Sequence, residues 1–220
     1  MNAAAVQVEV AAPWVLLALD LTGVFVFALS GGLLAVRKGF DVVGVLVLAV
    51  AAGLGGGILR DVLIGAVPPV GISDWRLMAA AGAAGVITFF FHPRLPRIQP
   101  LVLVLDAVGL GLFAIAGTLK ALEAGTTTLT AVVVGVLTAV GGGAIRDLLA
   151  GAPPRVLAER ELYAVPALLG AATFAAFWTA GVVEPVVTSG CVALTVIVRL
   201  VALRLDWRAP APRGGPGRPQ

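Results

Sequence analysis

Long apolar runs separated by brief polar punctuation dominate the chain. Seven runs stand out: Trp14–Val36, Val42–Ile64, Trp75–Phe91, Leu101–Ala121, Thr128–Ala150, Leu162–Ala180 and Val186–Leu205. Each is close to the ~20 residues that carry a helix across the hydrocarbon core of a bilayer. Pro13, Pro100 and Pro185 stand at run entries, where the missing N–H of proline would have no intrahelical partner in any case. The connections are short, which leaves no room for a separate soluble domain. Met1–Val10 has no basic residue and carries Glu9, and Asp20 interrupts the first run, so the start does not have the makeup of a secretory signal.

Composition points the same way. Hydrophobic residues make up 60% of the 220 positions and charged residues 12%, with mean hydropathy +1.05. So few charges cannot clothe a small soluble protein, and a transmembrane β-barrel would show alternating polarity instead. Disorder, a disulfide scaffold (Cys191 is the only cysteine) and a nucleic-acid module are excluded as well. The fold class expected is an all-α polytopic membrane protein with seven transmembrane helices. One histidine, His92, and the absence of metal-ligand, P-loop and nucleophile motifs argue against an enzyme, and no cofactor is expected. Cys191 reads as a small apolar packer. Trp14, Trp75, Trp178 and Trp207 stand near span ends, as interfacial anchors do.

Charge sets an orientation. With the N-terminus outside, 12 of the 15 Lys and Arg fall on the cytoplasmic side, including Arg37, Lys38, Arg94, Arg97, Arg155, Arg160, Arg199 and the tail. Arg60, Arg76 and Lys120 fall outside. This is the positive-inside pattern. The net charge of +3 thus follows topology and contact with membrane lipids; no nucleic acid is needed to explain it.

A shift of 86 residues superimposes the chain on itself without a gap. Asp20-Leu-Thr-Gly23 meets Asp106-Ala-Val-Gly109, Phe27-Ala28 meets Phe113-Ala114, and Gly55-Gly56-Gly57-Ile-Leu-Arg60-Asp61 meets Gly141-Gly142-Gly143-Ala-Ile-Arg146-Asp147. Each copy holds three spans, and an odd number forces the second to enter the membrane from the opposite side. The organisation expected is a first three-helix repeat over 14–91, a second, inverted repeat over 100–180, a seventh helix over 186–205 and a disordered basic tail over 206–220. Inverted repeats are a common plan of transporters and channels, with the functional site at their interface.

Two features mark that interface. Each glycine costs roughly 1 kcal/mol in a helix relative to alanine, so a triplet in a span predicts a bend or break. A break must face protein or water, and its exposed carbonyls can meet a cation. The competing reading is close packing, since small residues let helix backbones approach. The symmetric pairing of the triplets, each followed by Arg-Asp, favours a break lining a pore. Intramembrane charges are the second feature. Asp20 and Arg60 fall at one depth, Asp106 and Arg146 at another. Buried charge at such depths requires pairing, so Asp20–Arg60 and Asp106–Arg146 are the expected partners. Lys120 has no counterpart, its repeat mate being Leu34; it reads as a gate on the pore side or as an interfacial anchor.

The set Phe27-Ala-Leu-Ser-Gly31, Arg37-Lys38-Gly39, Gly55–Asp61, Gly117-Thr-Leu-Lys120-Ala-Leu, Gly141–Asp147 and Glu161-Leu-Tyr163-Ala resembles the prokaryotic branch of the TRIC (trimeric intracellular cation channel) family. Bacterial members of that family also carry the label of a duplicated glycine-transporter domain. The resemblance runs from about Trp14 to Leu205. It implies a homotrimer with one pore per protomer, permeation by K⁺ above all and by Na⁺, kinks at both glycine triplets, and a pore lined by spans 1, 2, 4 and 5. The expected function is therefore a monovalent-cation channel of the cell (inner) membrane. A secondary transporter of glycine or another small zwitterion is the alternative, with a half-helix N-terminus holding the carboxylate. A third reading is a structural subunit without permeation of its own.

Overall fold

The computed structural model describes residues 13–92, 98–158 and 162–207. The cations Arg94, Arg97 and Arg160, residue Glu161, and the basic tail from Arg208 onward lie outside the described residues.

Local chemistry starts and stops the helices at matched places. The Asp41 carboxylate accepts from the Gly44 amide at 2.8 Å and opens α2 (Val42–Leu63). Thr127, its mate in the second repeat, does the same for α6 (Thr128–Leu149) by accepting from the Thr130 amide at 3.2 Å. Such caps satisfy amides that the helix itself leaves orphaned. At the other ends, Gly65 and Gly151 follow α2 and α6 with φ of +73° and +66°, the left-handed conformation that ends a helix at little cost only for glycine.

Before α2 runs α1 (Pro13–Arg37). After it come a short α3 (Val70–Ser73) and α4 (Trp75–Phe91). The second set repeats the order: α5 (Ile98–Glu123), α6, a short α7 (Arg155–Ala158) and α8 (Ala164–Thr179). The last helix, α9 (Pro185–Arg204), has no mate. The seven long helices are the seven runs of the sequence to within a few residues, α5 reaching further at both ends. The short α3 and α7 stand where the sequence pattern showed only loops.

The packing is duplicated too. In the first repeat α1, α2 and α4 pack against one another, and α5, α6 and α8 do so in the second. The two units meet along α1 against α5 and α2 against α6, while α9 leans on α5 and α8. The interior is lined by small and aromatic side chains such as Ala28, Phe27, Ala114 and Phe113. Large aliphatic residues such as Val43, Val62, Leu129, Leu148 and Val186 point outward, while Asp20, Arg60, Asp106 and Arg146 are buried. Oil outside and charge inside is the distribution a bilayer selects.

One expectation is corrected here. Both glycine triplets lie inside unbroken helix: α2 continues through Gly55–Gly57 and α6 through Gly141–Gly143. The physical reason is contact between the two helices. A Cβ on Gly142 would stand 2.6 Å from the Ala52 carbonyl oxygen, and one on Gly56 would run into the Thr138 carbonyl oxygen. Ala52 and Thr138 are themselves repeat mates. A Cβ on Gly55 would meet Ile145, and one on Gly141 would meet Leu59, its mate. Gly55, Gly56, Gly141 and Gly142 therefore let α2 and α6 cross in backbone contact, as small residues do in membranes. Their carbonyls remain in the helical ladder.

Candidate functional site

The third glycine of each triplet faces a different environment. A Cβ on Gly57 would have Arg60 Nη2 as its nearest neighbour, at 3.9 Å. One on Gly143 would meet the Tyr163 hydroxyl at 2.6 Å and Asp106 Oδ1 at 3.4 Å. Three residues onward on the same helical face stand the arginines, each at the centre of a buried charge cluster.

In the first cluster Arg60 makes a two-point ion pair with Asp20, Nη1 to Oδ1 at 2.7 Å and Nη2 to Oδ2 at 3.1 Å. Arg60 Nε donates to Asp61 Oδ1 at 2.8 Å. The same Asp61 oxygen accepts from Lys120 Nζ at 2.7 Å, and Asp61 Oδ2 accepts from the Val70 amide at the start of α3. Four elements, α1, α2, α3 and α5, thus converge on two carboxylates and two cations.

The second cluster repeats the plan with different parts. Arg146 Nη1 donates to Asp106 Oδ1 at 2.6 Å and to Ser30 Oγ at 2.7 Å. Its Nε reaches Asp147 Oδ1 at 2.9 Å, and Asp147 Oδ2 accepts from the Arg155 amide at the start of α7. The second cation here is Arg155, whose Nη1 lies 4.0 Å from Asp106 Oδ2. Each cluster thus balances two acids with two bases. Balance matters because an uncompensated charge removed from water is destabilising by several kcal/mol.

The two ends nevertheless differ in closure. At the second cluster Asp106 Oδ2 and Arg155 Nη1 are buried and make no hydrogen bond within the described residues, while Arg146 Nη2 lies 2.9 Å from Asp147 Oδ1. Beside them opens a cavity of about 490 Å³ lined by Leu34, Arg37, Lys38, Gln99, Asp147 and Arg155 among others. The second cluster is thus open on the side of this cavity. The first is closed by direct bonds.

Of the residues expected from sequence, Asp20 and Arg60 are brought together, as are Asp106 and Arg146. The two arginines are buried in the protomer rather than reaching out to an interface. Lys120 turns inward to Asp61 and is not an interfacial anchor. Arg199, counted by sequence among the cytoplasmic cations, is buried within α9 (1% exposed), with its guanidinium carbon 4.8 Å from the centre of the Tyr163 ring. Ser30, Tyr163 and the Lys120–Asp61 bridge were missed. A signal for them existed: Ser30, Lys120 and Tyr163 replace Ala116, Leu34 and Leu77 of the other repeat. The departures from the repeat mark where the clusters differ.

A bundle of this kind, duplicated, inverted and with charge buried where the repeats meet, defines a polytopic membrane protein of the channel and transporter class. A family model described as "Glycine transporter" matches residues 17–93 and again 103–179, the same 86-residue offset. The chain is 48% identical over 201 residues to a UPF0126 membrane protein of Streptomyces coelicolor, covering 91% of this chain and 92% of that one. It is 38% identical over 195 residues to the UPF0126 inner membrane protein YadS of Escherichia coli K12, covering 87% and 93%. Its structure superimposes on the TRIC trimeric intracellular cation channel orthologue from Rhodobacter sphaeroides with a TM-score of 0.83 at 36% identity, over 87% of this chain and 98% of that one. The chain belongs to the TRIC family and is a multi-pass membrane protein.

Proposed function

We propose that the chain is a passive channel for monovalent cations, chiefly K⁺ with Na⁺ also passing, assembled as a homotrimer with one pore in each protomer. It sits in the cell (inner) membrane with its N-terminus outside and its C-terminus cytoplasmic. The observation that carries this reading is the pair of charge-balanced clusters on α1, α2, α5 and α6, one in each repeat, on either side of a glycine crossing. A TRIC cation channel with the same fold at 36% identity supports it.

In this reading the conduction path runs along α1, α2, α5 and α6. Gly55, Gly56, Gly141 and Gly142 hold α2 and α6 at contact, and Gly57 and Gly143 keep the space beside the arginines uncrowded. Asp20 and Asp106 neutralise Arg60 and Arg146, which unpaired would repel a cation. A path lined by compensated charge offers weak sites that ions leave as readily as they enter, which conduction requires. Lys120 is the proposed gate: its ammonium lies against Asp61 and has no mate in the other repeat.

The alternative, a transporter of glycine or another small zwitterion, draws on the description of the family model matched by both repeats. Purified protein in planar bilayers under a KCl gradient separates the two. Unitary currents reversing near the K⁺ equilibrium potential, unaffected by glycine, are expected. Saturable glycine uptake into liposomes with no unitary current would replace the channel reading by the transporter.

A further inference from the structure

The helix outside the repeats reaches toward the charge machinery through Arg199. Arg199 lies on the inward face of α9, fully enclosed, and its guanidinium covers the ring of Tyr163. An arginine over an aromatic face out of water is a directional contact. Tyr163, also buried, stands immediately before α8, and its hydroxyl is turned toward Gly143 on α6. The glycine makes room for that oxygen, since a Cβ there would meet it at 2.6 Å and Asp106 Oδ1 at 3.4 Å. Arg199 thus lies on the ring whose hydroxyl shares the space beside Gly143 with Asp106 of the Asp106–Arg146 pair.

Among the described residues the first repeat shows no such contact. The mate of Tyr163 is Leu77, α9 has no mate, and the Cβ position of Gly57 is open. The first cluster is instead held by Lys120 from α5. The pseudo-symmetric ends are therefore held by different devices, and the ring contact with the seventh helix is made at the second.

We propose that Arg199 and Tyr163 are positioning residues through which α9 sets the placement of the Asp106–Arg146 pair, and with it the opening of the second-repeat end of the pore alone. This inference rests on the channel reading. An asymmetric device at one end makes gating depend on the polarity of the voltage; a residue that only held the bundle together would affect both polarities alike.

Two measurements test it on the full-length purified protein. In planar bilayers, Tyr163→Phe keeps the ring beneath Arg199 and removes the hydroxyl, Arg199→Gln removes the cation, and Arg199→Lys keeps it. Tyr163→Phe and Arg199→Gln are each expected to change open probability by about fivefold or more at one polarity, with unitary conductance close to that of the unaltered chain and Arg199→Lys largely restoring it. Equal effects at both polarities, or none, would overturn the proposal while leaving the channel reading intact; absence of unitary current from the unaltered chain would overturn both.

The second measurement does not depend on conduction. Tyr163 is the only tyrosine in the chain, so biosynthetic 3-fluorotyrosine gives a single ¹⁹F site. Its resonance is expected to move on Asp106→Asn and on Arg199→Lys, and to stay in place on Arg76→Lys, a change at an exposed helix start. A resonance indifferent to Arg199 and Asp106 would remove the line of contact and the proposal with it.

Discussion

Phe27 and Phe113 stack with their ring centroids 5.4 Å apart and their planes 20° from parallel, and they are the same position of the two repeats. A pseudo-two-fold axis therefore passes between the rings. Two glycines shape the contact: a Cβ on Gly23 would press on Phe113 at 3.0 Å, and one on its mate Gly109 on Phe27 at 2.9 Å. The helix crossing of α2 and α6 obeys the same symmetry, so substitutions at mated positions should act alike wherever the environment is duplicated and differ wherever it is not.

The crossing is the duplicated case. Gly56→Ala and Gly142→Ala each push a methyl against a backbone carbonyl, which cannot turn aside as a side chain can. Overpacking of this kind typically costs 1–3 kcal/mol or more, so we put each at about 2 kcal/mol. Both variants are expected to lower the melting temperature of the detergent-solubilised protein by similar amounts, followed by size-exclusion chromatography after heating. A large loss at one position with none at the other would contradict the symmetric crossing.

The third glycines are the unlike case. Gly57→Ala has open space and gains helix propensity of about 1 kcal/mol, so its thermal stability should be unchanged or raised. Gly143→Ala meets the Tyr163 hydroxyl and should be destabilised. Adding Tyr163→Phe removes the opposing oxygen, so the double variant should recover part of the loss. A double-mutant cycle read by thermal unfolding measures this recovery; strictly additive losses would mean that the methyl and the hydroxyl do not meet.

Much of the architecture was legible because membrane helices announce themselves by length and hydropathy, and because an 86-residue shift aligns the pairs that must touch. Asp20 and Arg60 could be matched by depth alone, since short acidic side chains in the hydrocarbon need a partner nearby. The triplets were misread for a reason of energetics. Helix propensity counts against glycine, and it predicts a break. The gain from bringing two backbones into contact, Gly56 against Thr138 and Gly142 against Ala52, is a tertiary term that no single helix displays. The short helices α3 and α7 escaped notice because four residues carry no periodicity. Their starts are fixed by the distant carboxylates of Asp61 and Asp147. The burial of Arg199 was not legible because a cation near a span end looks the same in sequence whether it reaches for water or lies over a buried ring.

The ion pairs make a sharper prediction than simple charge reversal. Asp20→Asn or Arg60→Gln alone leaves a buried partner charge uncompensated, at a cost of roughly 3–5 kcal/mol. The double variant Asp20→Asn with Arg60→Gln should cost less than the sum, because neither charge of the pair remains. The exchange of the two charges should fail to rescue. Aspartate at position 60 would stand next to Asp61, which already needs both Arg60 and Lys120 as partners. Thermal unfolding of the four variants decides it. Full rescue by the exchange would show that Asp61 is not part of the cluster.

Lys120 closes the first cluster, and its removal should be felt in gating more than in folding. Lys120→Met keeps the length of the side chain along α5 and withdraws one charged hydrogen bond from Asp61, an interaction of about 1.5–3 kcal/mol. Arg60 still donates to that carboxylate, and Lys120 is the least buried member of the cluster, so the yield of folded protein should fall less than for Arg60→Gln. With one cation gone, Asp61 gains negative charge uncovered toward the path, and cations should dwell there longer. The expected result in planar bilayers is a shift in open probability of roughly tenfold or more, the equivalent of about 1.4 kcal/mol, with its voltage dependence changed. Lys120→Arg retains the charge and should restore both. Currents from Lys120→Met indistinguishable from those of the unaltered chain would assign the bridge to structure and take the gate away from Lys120.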